Sequence, residues 1–201
     1  MKTYKSLFLL FALSILPFGA IAAVPFGGAT VPIGSSAGSW SPGYAIGLET
    51  PVSQRHGLDW SALFSIVRVT PNGENLLRTA GRTLKVETTR GWSLSVEASL
   101  IASKCIAASA SNEWQFRLFG GAGLFYLQDA DVFVGGFQPT GPSAVNRQRF
   151  IDGQTLVAPG VTLGFAGLIY GNVEPTVRLQ HILTGESTRD YLLLGLNFKP
   201  R

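Results

Sequence analysis

The chain has 201 residues, enough for one domain; only 14% are charged, 46% are hydrophobic, and the net charge is +4. Soluble domains carry about 25% charged residues, so this chain has little polar surface to show water, and its bases form no Lys/Arg cluster of the kind that would mark a nucleic-acid binder. A helical membrane bundle needs runs of about 20 apolar residues, and none occurs beyond Ala23.

Residues 1–22 read as a signal peptide. Lys2 and Lys5 precede an apolar stretch from Ser6 to Pro17, and Ala20-Ile21-Ala22 has the small-x-small pattern of a cleavage site. Its removal takes two bases and no acid, lowering the charge from +4 to +2. Cys105 is the only cysteine, so no internal disulfide staples this exported chain, and a passively packed thiol is expected. No Cys/His spacing suits zinc, no glycine-rich loop suits a phosphate, and no GxSxG elbow is present. The expectation is neither metal nor cofactor, and no nucleic-acid partner.

Residues 23–42, rich in Gly, Pro and Ser, read as an irregular lead-in to a domain over 43–201. Alternation with period two then predicts strand after strand. The spans are about 43–50, 58–70, 82–89, 92–103, 113–127, 154–168, 174–183 and 191–198. The clearest is the fourth, where Trp92, Leu94, Val96, Ala98 and Leu100 oppose Ser93, Ser95, Glu97 and Ser99. Pro51–Gly57, Pro71-Asn72-Gly73 and Tyr170-Gly171-Asn172 read as turns. Residues 128–152 form the longest break, and breaks of that length are usually functional.

The polar register carries Glu49, Asp59, Lys85, Glu87, Glu97, Glu113, Arg117, Glu174 and Arg178. The apolar register carries Tyr44, Trp60, Trp92, Trp114, Tyr126 and Phe198 near strand ends. That pattern fits an all-β, eight-stranded, antiparallel, up-and-down transmembrane barrel, with its apolar belt outside and its charges in the lumen. Glu97, Glu113, Arg117, Glu174 and Arg178 are expected to form a lumen network, because buried charges need partners. With the N-terminus in the periplasm, the 128–152 break is extracellular and the 71–80 loop periplasmic. A soluble, exported, lipocalin-like barrel is the alternative, and it needs the polar register outside.

The last strand, Tyr191-x-x-x-Gly195-x-Asn197-Phe198, resembles the C-terminal signal of bacterial outer-membrane proteins, although Lys199-Pro200-Arg201 follows the aromatic. That resemblance implies the outer membrane of a Gram-negative bacterium, lipopolysaccharide around the barrel, and recognition by the barrel-assembly machinery.

His181 is the one titratable residue in the lipid-facing register of the penultimate strand, among Val177, Leu179 and Leu183. The run Arg178-x-Gln180-His181, followed by a loop and a closing strand, resembles the lipid A deacylase family (PagL-like acyloxyacyl hydrolases). The resemblance implies a histidine base on the outer barrel surface, a serine nucleophile and an orienting acid. Only His181 carries over, since Leu183 and Thr184 stand where that family has serine and asparagine. Ser187 as nucleophile, and Glu186 or Asp190 as acid, are the substitutes the loop offers. The favoured expectation is a surface barrel without retained catalysis.

Overall fold

The computed structural model describes residues 23–37, 40–71, 85–88, 92–110, 114–137, 146–169, 172–185 and 188–199. The signal-peptide reading of residues 1–22 lies outside them. Nine strand segments follow one another: β1 (Val24–Ile33), β2 (Trp40–Arg55), β3 (Leu58–Pro71), β4 (Lys85–Thr88), β5 (Trp92–Ala108), β6 (Trp114–Phe137), β7 (Asn146–Ile169), β8 (Val173–Leu183) and β9 (Thr188–Phe198). The strands pair antiparallel in the order β1–β2–β3–β5–β6–β7–β8–β9, β9 pairs back onto β1 to close the sheet, and β4 pairs onto β6. Closure leaves the barrel wall no free edge and pairs its backbone groups, as lipid requires of a spanning sheet.

The barrel has eight staves, but not the eight read from the sequence. Residues 24–33 are not an irregular lead-in; they form β1, the closing stave, whose pairing runs from Phe26↔Asn197 to Ile33↔Asp190. Its glycines and prolines hid it, yet a glycine suits a stave pressed against its neighbour's backbone. A side chain at Gly28 would sit 2.1 Å from the Leu194 carbonyl oxygen. Conversely, of the separate strand expected at 82–89 the described part is Lys85–Thr88. It pairs with the same strand, β6, as β5 does, and continues β5's line beyond the rim. One missed stave and one surplus stave cancelled.

The extra stave changes the ends. The segments between β1 and β2, β3 and β4/β5, β6 and β7, and β8 and β9 lie at one end, and the others at the opposite end. The 71–80 segment therefore shares its end with the β6–β7 connection, contrary to the expectation; residues 72–84 themselves lie outside the described residues. At the opposite end, the turn expected over Pro51–Gly57 shrinks to His56–Gly57. Both residues have positive φ, 55° and 72°, the backbone of a two-residue hairpin whose twist matches its strands.

The 128–152 break is also corrected. β6 and β7 have 24 residues each and stay paired from Trp114↔Ile169 to Phe137↔Asn146. That is roughly 80 Å of strand at ~3.3 Å per residue, where a membrane crossing needs about 9–11 residues. Since β8 accompanies β7 only over Gly160–Ala166, the rest of the hairpin rises beyond the rim, with β4 along the β6 side.

Candidate functional site

Alternation decides what faces inward. On β8, Glu174, Thr176, Arg178, Gln180 and Ile182 are buried, while Pro175, Leu179 and Leu183 are exposed. On β5, Ser93, Ser95, Glu97, Ser99 and Ile101 are buried. Inside the barrel these side chains form three polar groups separated by apolar packing.

The first group lies toward the short-turn end and is centred on Arg117. Its guanidinium donates to Glu49 (2.7 and 3.0 Å) and to both oxygens of Glu174 (3.0 Å each). Such fork-shaped pairing suits a planar guanidinium. Asn197 donates to Glu174 at 2.8 Å, and Lys199 Nζ lies 3.1 Å from the same carboxylate. Arg178 donates to Asn197 (2.9 Å) and stands 3.6 Å from Glu49. Its flat face covers Phe26 at 4.0 Å, a contact that strengthens when water is excluded. A cavity of about 520 Å³ opens beneath this group, with Asp59, Gln115 and Cys105 among its walls. The thiol is exposed, not packed as expected.

The second group is Glu97, 1% exposed. It takes hydrogen bonds from Ser65 (2.7 Å), Ser99 (2.7 Å), Thr162 (2.6 Å) and Gln180 (2.6 Å). Among the described residues no arginine pairs with it; four neutral donors from β3, β5, β7 and β8 hold the carboxylate instead. The alternation on β5 turns Glu97 inward, but its partners are not legible in the sequence, because hydroxyls along a strand carry no pairing signal. Glu113, the other acid expected here, lies outside the described residues.

The third group, toward the long-hairpin end, was missed. Arg189 donates to both oxygens of Asp129 and to Ser93, and Ser93 donates to Asp129 at 2.6 Å. Arg189 also lies 5.7 Å from the Trp40 ring centroid. Asp129 falls within the 128–152 stretch that reads as a break, which conceals its strand register. Between the groups, Leu63, Ile101, Phe125, Leu127, Ile182 and Leu193 fill the lumen. Glycines make room for the aromatic rings: a side chain at Gly164 would stand 2.5 Å from the Phe119 ring, and one at Gly47 would stand 2.4 Å from the Phe26 ring. Filling of this kind is what an eight-stranded barrel allows.

Outside, the apolar register forms a belt that includes Tyr44, Ile46, Leu48, Leu100, Trp114, Leu163, Phe165, Leu194 and Phe198, all exposed. His181 lies in this outer register near the long-hairpin end. Its cross-strand neighbour is Asp190, and Nδ1 meets Asp190 Oδ1 at 2.5 Å. Asp190 is itself held. Its backbone N–H donates to Ser36 Oγ at 3.1 Å, and Thr188 Oγ1 donates to Oδ2 at 3.4 Å. Gly34, at φ 57°, leaves space for that carboxylate; a side chain there would stand 3.1 Å from Oδ2. Among the described residues, Asp190 is thus the acid beside the ring. Ser187 and Glu186 lie outside the described residues. Leu183, in the nucleophile's place, is exposed on the same face.

No protein-family model and no curated protein matches the chain. Among solved structures it is similar to Ail, the attachment invasion locus protein of Yersinia pestis. The identity is 10%, the TM-score 0.53, and the match covers 89% of this chain and 97% of that one. The same protein in complex with the heparin analogue sucrose octasulfate matches at 13% identity and TM-score 0.50, over 89% and 95%. Neisserial surface protein A, NspA, matches at 15% identity and TM-score 0.48, over 89% and 96%. At these identities the likeness to Ail establishes the fold, a closed eight-stranded antiparallel barrel. The comparisons lend no support to the resemblance to lipid A deacylases.

Proposed function

We propose that the chain is a small outer-membrane β-barrel protein of a Gram-negative envelope, acting without catalysis through the hairpin that rises from one end. The supporting observation is the inversion of faces. Glu49, Glu97, Glu174 and Arg178 are buried inside, while Ile46, Leu100, Leu163 and Phe165 are exposed outside. An apolar belt of this extent on a soluble monomer would be an aggregation site; in a bilayer it is the spanning surface. The soluble lipocalin-like alternative needs the opposite assignment of faces. Lipopolysaccharide then surrounds the barrel, and the assembly machinery reads the Phe198 strand. The test is envelope fractionation with heat-modifiable gel migration. An unheated, faster-migrating band in the outer-membrane fraction is expected, and recovery in the soluble periplasm would refute the proposal.

His181 beside Asp190 favours a second reading, a lipid A-modifying hydrolase with His181 as base. The pair supplies two of the three parts of a nucleophile–base–acid arrangement, and Leu183 weighs against the third. Mass spectrometry of lipid A, with and without the protein, decides it. Unchanged acyl chains end this second reading, and acyl loss that persists in His181→Ala ends the role given to His181.

A further inference from the structure

Across β7, β8 and β9 the outward residues fall into rows. Val161, His181 and Asp190 form one; Leu163, Leu179 and Leu192 form the next, toward the short-turn end; Phe165, Val177 and Leu194 follow. Successive rows are two residues, roughly 7 Å, apart. Between the second and third rows lies a groove of about 430 Å³, walled by Leu118, Leu163, Phe165, Val177, Leu179 and Leu192. An apolar groove on the outer wall thus ends under a polar pair.

We infer that this face is a binding site for one acyl chain of a membrane lipid, its polar end hydrogen-bonded to Nε2 of His181. The inference rests on the barrel spanning a membrane. Two independent observations carry it. The groove is a depression in the outer belt, and apart from Gly164 its lining side chains, Phe119 among them, are all leucine, valine or phenylalanine, which suits methylene groups. The polar pair is fixed before any ligand arrives: Ser36, Thr188 and the space over Gly34 hold Asp190, and Asp190 turns Nδ1 toward itself. Nε2 therefore points away from the pair. It accepts from a hydroxyl or amide N–H when the imidazole is neutral, and donates to a carbonyl or phosphate oxygen when it is protonated. The ring also stands one row above the groove, where the chain of a lipid meets its polar head. A purely structural His–Asp clasp between β8 and β9 would need no groove beneath it.

The test uses the full-length barrel reconstituted in vesicles of phosphatidylethanolamine and phosphatidylglycerol, then extracted for native mass spectrometry. One retained lipid per barrel is expected. Leu163→Trp fills the groove and should lower occupancy about tenfold, a change in binding of ~1.4 kcal/mol. His181→Ala should lower it severalfold, while Leu100→Trp, in the belt on β5, should match the unmodified protein. Equal retention by Leu163→Trp, or equal loss in Leu100→Trp, means annular lipid only and overturns the inference. Flotation with the vesicles separates the two claims. A barrel that does not float contradicts the membrane reading; one that floats with no difference among the variants contradicts only the site.

Discussion

The guanidinium of Arg178 lies 4.0 Å from the ring centroid of Phe26. Phe26 belongs to β1 and Arg178 to β8, with β9 between them. The contact therefore reaches across the seam where the first and last strands close the barrel. Phe26→Ala removes both a buried ring and this contact. Loss of a core Phe costs about 3–5 kcal/mol, so urea unfolding in vesicles should lose roughly that much. Phe198→Ala, on the lipid side, should lose far less.

Arg117→Ala leaves Glu49 and Glu174 buried with weakened compensation. Removing one partner of a buried pair costs about 3–5 kcal/mol, and unfolding should report a loss in that range. Adding Glu49→Gln and Glu174→Gln to Arg117→Ala removes the stranded charges and should recover a large part of the loss. No recovery in the triple variant would show that the carboxylates are not held by Arg117.

Glu97 concentrates four donors on one carboxylate. Hydrogen bonds to a charged group are worth about 1.5–3 kcal/mol each, though their losses do not add simply. Glu97→Ala takes the carboxylate acceptor from Ser65, Ser99 and Thr162, leaves Gln180 only its 3.3 Å hydrogen bond to Ser65, and opens a cavity, so it should destabilise strongly. Glu97→Gln keeps the volume, and the hydroxyls and the Gln180 amide can reorient, so it should cost about 1–3 kcal/mol. If the two variants are equally stable, Glu97 is not the acceptor at this point.

His181→Ala should behave differently from the lumen variants. The pair is on the outer surface, with 40% of the histidine side chain exposed, and it touches none of the lumen groups, so its loss leaves the packed interior intact. Unfolding and heat-modifiable migration should stay close to those of the unmodified protein. A loss as large as that of Arg117→Ala would make His181 part of the barrel's structural core.

Much of this fold is legible because an eight-stranded barrel writes itself as alternation. The register of β8, with Arg178 inward and His181 outward, follows from the period alone, and so do the serine face of β5 and the outer belt. Three things do not. β1 lacks a strong pattern, since Gly27, Gly28 and the prolines of Val24–Ile33 break the alternation; only pairing to both neighbours makes it a strand. The long hairpin looks like a loop, because Gly135, Gly136 and Gly153 lie in strands that run past the barrel rim, where no belt imposes a pattern. At the candidate site, the sequence shows His181 and several possible acids. Register selects Asp190, because it is directly opposite His181 across the β8–β9 ladder. The Arg189–Asp129 pair was unreadable for a similar reason: its partners are 60 residues apart and meet only in the closed barrel.

The central claim is that the apolar register meets lipid and the polar register fills the lumen. Tryptophan quenching by lipids brominated in their acyl chains tests it most directly. The chain has four tryptophans. Trp92 and Trp114 stand in the outward register, whereas Trp40, beyond the register shift between Ser41 and Tyr44, packs against the buried core. In single-tryptophan variants reconstituted in such vesicles, Trp92 and Trp114 should be quenched and Trp40 protected. Quenching of Trp40 as strong as that of Trp114, or no quenching of any of the three, would contradict the account.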